Sequence, residues 1–433
     1  MVGQLLRGCQ QVTCRYRTRL ICIMPEPIAD GPSLTWEQAG VTASARWWSA
    51  NGRPAPQKLV VVDDRLTTVQ AVKYAAQGTA MLWLGDFHNA KQILSAIDRR
   101  LAKGRTGDAA PRAVISDADA FYRLRQARAQ RSRMMSLILV PLTFDAPEGA
   151  ASVPLPRAPR VGPAVEFAYA QQPGFGVGHA VVSLQELSGV QSAYQWYVTG
   201  IDIPAVNGRI HPHYGTFLPT RHEYVDLVAQ APLSNLELAF DVGTGTGLLA
   251  AVLVNRGVKK VVGTDIHQRA VDCANENFAR LGLQEAAEAQ LISMFPDGRA
   301  PLVVCNPPWL PGSAATTLDA AVYDPGSTML LQFLNGLTDH LADDGEGWLV
   351  LSDLAELLGL RSRQLLLDAI DQAGLDVIDR LDTAPRHQRA ADRSDLLHAA
   401  RSREVTSLWR LRAKRPDGLQ RGDGRPERRR PTD

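Results

Sequence analysis

From residue 58 the apolar positions fall into a rhythm. "KLVVVDD" (58–64) is a short apolar run ended by acids, which predicts a buried strand. "TTVQAVKYAAQG" (67–78) spaces its apolar residues as a helix does and closes on Gly. "TAMLWLGDF" (79–87) predicts another strand, and "NAKQILSAIDRRLAKG" (89–104) another helix. A longer helical pattern covers "DADAFYRLRQARAQRSRMMSLILV" (117–140). "DAPEGAASVPLPRAPRVGP" (145–163) then breaks all periodicity with Pro, Gly and Ala, and reads as a linker or surface loop.

The second half repeats the rhythm more sharply. "LELAFDVGTGTG" (236–247) predicts a strand running into a glycine turn, and "LLAAVLVNRG" (248–257) the helix that the turn opens. "KKVVGTDI", "EAQLISMF" and "PLVVCN" predict three more strands, with the helix "QRAVDCANENFARLG" (268–282) after the first of them. "TMLLQFLNGLTDHLADDG" (328–345) and "GWLVLSDL" (347–354) add a helix and a strand. Strands that alternate with helices pair in parallel, so the fold class is α/β with a doubly wound sheet. "LDVIDRLDTAP" (375–385) and "EVTSLWRLRA" (404–413) are two late strands without a convincing helix between them. So short a connection cannot cross over between parallel strands, so the last strand should be antiparallel.

At 433 residues the chain is comfortable for two domains. We divide it into 1–23, an extension or mis-assigned start before Met24; 24–200, an α/β domain; 201–413, the glycine-turn domain; and 414–433, a basic Pro- and Gly-rich tail expected to be disordered. Hydrophobic content of 45% and charged content of 21% are ordinary for a globular protein. A net charge of +2, from 47 basic and 45 acidic residues, provides no global field, so affinity for a polyanion must be local. No apolar run reaches the ~18 residues of a membrane span. Five scattered cysteines without a metal-type spacing suit a reducing cytoplasm and suggest no metal.

Two motifs carry chemistry. Asp241, Gly243, Gly245 and Gly247 form D-x-G-x-G-x-G at a strand-to-helix corner, where glycine lets a ligand approach bare backbone. Asp265 ends the next strand, where a carboxylate can accept both hydroxyls of a ribose; the plainer reading is a helix cap. The spacing is neither the dinucleotide G-x-G-x-x-G nor a triphosphate loop. The second motif, "NPPW", puts Asn306, Pro307, Pro308 and Trp309 after the buried "VVC" run. It joins carbonyl acceptors, a stiff backbone and a flat aromatic face, although Asn as a cap and Trp as a core residue is the plainer alternative.

In this order the motifs resemble those of the class I methyltransferases that use S-adenosylmethionine, of the "methyltransferase small" type with an [N/D/S]-P-P-[Y/F/W] motif. The likeness covers about 211–413, and "HPHYGTFLPTRHEYVDLV" (211–228) is similar to the segment before the family's glycine loop. It implies a Rossmann-like sheet of seven strands and S-adenosyl-L-methionine as cofactor. Asp241, Gly243, Thr244, Gly245, Gly247, Asp265, Ile266, Ser293 and Asn306 would bind it. Ser293 stands where the family often has Asp. Asn306 to Trp309 would be the catalytic motif, holding a planar nitrogen.

Two substrate classes follow from the resemblance: a base of RNA, or a glutamine of a translation release factor or other protein. The loop "PRHQRAADRSDLLHAARSRE" (385–404) should overhang the acceptor side, and its Arg386, His387 and Arg389 favour RNA, with Trp309 as the stacking face. "RLRQARAQRSR" (123–133) is a second basic run. A non-catalytic RNA- or nucleotide-binding protein on the same scaffold would show an eroded motif, and a nicotinamide dehydrogenase would leave "NPPW" unexplained.

Overall fold

Register in one central sheet brings both motifs to the same edge. The computed structural model describes residues 31–415 apart from 39, 104–115, 145–149, 220, 314–318, 320, 387 and 394. The expectations for 1–23 and for nearly all of 414–433 lie outside the described residues.

The N-terminal part builds a six-stranded sheet from β1 (Ser33–Gln38), β2 (Val41–Trp47), β3 (Leu59–Val62), β4 (Ala80–Trp83), β5 (Ile138–Thr143) and β6 (His179–Ser183), in the order β1-β2-β6-β5-β4-β3. The helical pattern over 117–140 ends early. The helix is Asp117–Met135, capped by Ser116, and the final "ILV" opens β5, buried at every position. A wholly buried strand shows no period of its own, so it extends an apolar helix pattern without a visible seam. The described part of 145–163 is no linker. Ser152 pairs with Thr143 through two backbone hydrogen bonds of 2.9 Å, and Ala151, Val153 and Leu155 join the N-terminal core. β7 (Ile201–Ile203) and β8 (Gly208–Ile210) form a short hairpin.

The second sheet has seven strands: β9 (Leu238–Val242), β10 (Lys260–Asp265), β11 (Ala287–Leu291), β12 (Ala300–Cys305), β13 (Leu341–Ser352), β14 (Leu375–Thr383) and β15 (Thr406–Ala413). Their order is β11-β10-β9-β12-β13-β15-β14, and β15 runs antiparallel to both neighbours, as expected from the short final connection. That connection carries two short helical turns, Gln388–Ala391 and His398–Arg401. Apolar helices cover both faces; Leu248–Asn255, for example, buries six of its eight residues. The N-terminal helix Asp117–Met135 reaches across to this half, where its Phe121 and Leu124 pack with Leu310, Leu354, Leu358 and Leu397.

Candidate active site

Strand pairing sets the geometry. β12 pairs with β9 so that Cys305 lies opposite Val242, and β10 pairs with β9 so that Thr264 lies opposite Val242. Asn306, Gly243 and Asp265 are therefore the next residues along three neighbouring parallel strands, at their carboxyl ends. Open α/β sheets bind ligands there.

The glycine turn is tied down from several sides. The N–H groups of Gly243 and Thr244 both donate to the Thr264 carbonyl, at 2.9 and 2.8 Å. Gly245 N–H donates to Asp265 Oδ2 at 3.2 Å, and His267 N–H to Asp265 Oδ1 at 3.0 Å. Asp265 thus orients the turn, steadies the chain leading into the helix Gln268–Arg280, and still faces the cleft. Gly243, Gly245 and Gly247 all have positive φ, at 73°, 56° and 78°. A Cβ on Gly243 would stand 2.6 Å from Met329 Cε, and one on Gly247 2.7 Å from the Phe278 ring. Asp241 is buried beneath the turn, where its Oδ2 accepts the Thr244 hydroxyl at 2.7 Å and the Ala250 N–H at 3.1 Å. Burial pushes its carboxyl up to about 6, against the pull of those two bonds.

After β12, Asn306 is half-buried and Pro307 buried. The Trp309 indole N–H donates to Asn306 Oδ1 at 2.8 Å, a contact the motif alone does not disclose. It fixes ring and amide as one unit, and a carbonyl oxygen has a second lone pair. Behind the ring, the Arg221 guanidinium sits 5.0 Å from its centroid and Tyr224 meets it edge-on at 6.4 Å. Arg221 is in turn gripped by Glu404, through bonds of 2.9 and 3.1 Å. Cys305 is fully buried and its thiol is pushed up by burial, so it is an inert strand residue.

One cleft of about 1220 Å³ joins all of this. Asp241, Gly243, Thr244, Gly245, Asp265, Ile266, Ser293 and Asn306 to Trp309 line it together. Ile266 is exposed there, as is Ser293. Gly247 stands just behind, as the cap of the helix that the turn opens. Arg386 also reaches the cleft, and pairs with Asp226 at 2.9 Å. His387 and the side chain of Arg389 lie outside the described residues. Arg128, from the N-terminal basic run, lines the cleft as well, so this run and the late loop face the same space. Arg401, from the late basic loop, lines the cleft too, whereas Arg269 escapes a reading of the sequence, because a lone arginine within a helical pattern carries no signal. Burial lowers the Arg269 guanidinium, which donates to the carbonyls of Tyr214 and Ala168.

A three-layer α/β unit with this strand order, an acidic glycine turn after its first strand and Asn-Pro-Pro-Trp after its fourth has the architecture of a class I methyltransferase. Residues 222–353 match the family model described as "Methyltransferase small domain". Among similar curated proteins, the tRNA1(Val) (adenine(37)-N6)-methyltransferase of Shewanella woodyi is 28% identical over 149 residues, 32% of this chain and 61% of that protein. A Methanocaldococcus jannaschii protein described as a putative protein N5-glutamine methyltransferase is 28% identical over 162 residues, 36% of this chain and 80% of that one. A ribosomal protein L11 methyltransferase of Clostridium perfringens is 44% identical over 69 residues, 16% of this chain and 22% of that protein. The chain thus spans about three fifths of the Shewanella enzyme and about a fifth of the Clostridium one.

Proposed function

We propose that the protein is an S-adenosylmethionine-dependent N-methyltransferase that acts in the cytoplasm on a planar nitrogen, with a base of RNA as the acceptor. The observation that carries this reading is the single cleft in which the glycine turn and Asp265 meet Asn306–Trp309. The residues present fit the cofactor: a cradle free of Cβ atoms at Gly243 and Gly245, a carboxylate beside it at Asp265 and an exposed apolar side chain at Ile266. When bound, S-adenosylmethionine supplies an electrophilic methyl group. Asp265 would hold the ribose, the turn from Asp241 to Gly247 would receive the methionine end, and Ile266 and Ser293 would border the adenine.

The acceptor nitrogen of a base or amide is a poor nucleophile, because its lone pair is delocalised into the ring or carbonyl. Asn306 Oδ1 and the Pro307 carbonyl accept its two N–H bonds, which holds the nitrogen and favours the pyramidal form that can attack. Pro308 stiffens the turn, and Trp309, braced by Arg221, offers a flat face to the acceptor. Catalysis is then positioning, without a covalent intermediate.

RNA is favoured by the arginines that converge on the cleft from both halves, Arg128 and Arg386 among them. The 24–200 domain serves recognition and 201–413 methyl transfer. Glutamine of a translation factor is the second reading, supported by the match to the Methanocaldococcus protein. The test is incubation of the purified protein with labelled S-adenosylmethionine and, separately, RNA and release factors from cells lacking the gene, followed by mass spectrometry. An N-methylated base supports RNA, and N5-methylglutamine would replace it with protein. Label in neither pool would overturn both.

A further inference from the structure

A second cavity, of about 350 Å³, lies behind the cleft, and Tyr214, Gly215 and Thr216 line both. These three residues stand between the two spaces. They are held rigidly: Arg269 takes the Tyr214 carbonyl at 2.9 Å, His213 Nε2 contacts Glu276 at 2.6 Å, and the Thr216 hydroxyl donates to the His213 carbonyl at 2.7 Å. The helix Asp117–Met135 connects the two spaces. Phe121, Arg125, Arg128 and Ser132 follow i, i+4, i+7, i+11, a single stripe along a helix. Phe121 and Arg125 lie against Tyr323 of the cleft, Arg128 lines the cleft, and Ser132 lines the second cavity. From Arg125 to Ser132 is about 10 Å along the axis.

The second cavity is built to present polar groups. Glu186, buried among them, accepts from the Ser49 hydroxyl at 2.8 Å, the Ala50 N–H at 2.7 Å, Asn51 Nδ2 at 2.9 Å and the Tyr169 hydroxyl at 2.8 Å. Four bonds occupy the acceptor sites of a carboxylate. Glu186 therefore acts on the 49–53 segment and not on a ligand, and this segment turns Asn51 and Arg53 toward the cavity. Arg53 is half-buried and donates to Ser132 Oγ at 2.7 Å; it forms no ion pair with a carboxylate among the described residues. The Tyr214 hydroxyl accepts from Asn51 at 2.8 Å and, pushed up to about 12 by burial, stays protonated.

We propose that this cavity is a subsite for the nucleotide next to the methylated base, with Arg53 on its phosphodiester and Asn51, Ser132 and Tyr214 as hydrogen-bonding partners. Its volume is at the small end of ligand sites, ~300–1,000 Å³, and suits one nucleotide unit but not a duplex. Its position next to the cleft suits a single strand whose target base is turned into the cleft while its neighbour lodges behind. This subsite rests on the RNA reading.

The probe is a fluorescein-labelled mixed-sequence hexaribonucleotide, titrated at several salt concentrations against the wild type, Arg53→Ala, Arg53→Lys and Asn51→Ala. Arg53→Ala should weaken binding about tenfold and reduce the salt slope by about 0.7, one single-strand phosphate. Arg53→Lys should recover most of the slope, which a merely structural arginine would not do. Affinity for S-adenosylmethionine should stay unchanged in all of them. If the wild type methylates RNA but Arg53→Ala and Asn51→Ala bind the hexamer as it does, with the same slope, the subsite is wrong and the RNA reading stands. If the wild type neither binds the hexamer nor methylates RNA, and release factor carries the label, both readings fall together.

Discussion

Replacing Asp241 with Asn tests how the glycine turn is supported. The carboxyl is 1% exposed, and its titration moves from the ordinary 3.8 to about 6 because burial penalises the charge. At about 1.36 kcal/mol per pH unit, ionising it inside the fold costs about 3 kcal/mol. The sign is set by a folded-state value above the unfolded one. The proton-linked stabilisation is fully present below about 3.8 and is lost as pH rises through about 6. Both hydrogen bonds, from the Thr244 hydroxyl and the Ala250 N–H, land on the same oxygen, Oδ2. An asparagine can keep both with its single carbonyl oxygen, and the net shift to about 6 already contains the preference of those bonds for the ionised carboxylate. The variant should therefore be more stable than the wild type at pH 7.5 by about 2–3 kcal/mol, and should lose most of that advantage by pH 4. At about 2–4 °C per kcal/mol for a domain of this size, the melting-temperature difference should change by about 5–10 °C. Calorimetric scans of both proteins at pH 4, 5, 6 and 7.5 read it directly. A difference constant across that range would show that Asp241 does not titrate near 6 and that its burial does not penalise the charge as reasoned.

Other substitutions test the site piece by piece. Asp265→Ala should weaken S-adenosylmethionine binding by about 1–3 kcal/mol in isothermal titration, as a lost charge-assisted bond does; unchanged affinity in a folded variant would misplace the ribose. Asn306→Ala should keep that affinity while methyl transfer falls by orders of magnitude, and joint loss of both would make Asn306 a structural brace for Trp309. Gly247→Ala puts a Cβ 2.7 Å from Phe278 at a φ of 78° and should destabilise the domain by about 2–5 kcal/mol in urea unfolding. Trp309→Phe removes the bond to Asn306 Oδ1 while keeping a smaller aromatic face, so a kcat loss with little change in KM would assign the ring a positioning part.

Much of the second half was legible because its signals are local. The glycine turn announces itself in seven residues, and the antiparallel β15 follows from a connection too short to cross the sheet. What escaped was set by tertiary contact. β1 and β2 carry a visible alternation, with Leu34 and Trp36, then Ala43, Ala45 and Trp47, facing inward, but no motif directs the eye to it. β5 was hidden because its six residues are all buried and continue the apolar run of the helix before it. Arg221 could not be recognised because its importance comes from Glu404, 183 residues away, and from a tryptophan packed beneath it. The late basic loop does reach the cleft through Arg386, but Arg401 is 8% exposed and pairs with Asp395 at 3.2 Å, so part of its charge is internal bracing.

The position of β15 has a consequence for the order of assembly. It is hydrogen-bonded to β13 on one side and β14 on the other, and among the described residues β14 pairs with no other strand. As the chain leaves the ribosome, β9 to β13 can zip up in sequence, each new strand finding a neighbour already made. β14 cannot join them. It must wait, with both edges unpaired, until residues 406–413 have emerged to slot between it and β13. The nascent protein thus passes through a stage with its glycine turn already formed and an open strand edge on β13, which is an invitation to wrong partners. Glu404 arrives with that same last strand, so the brace on Arg221 and Trp309 closes only when the sheet does. Trp309 is locked by the final act of folding.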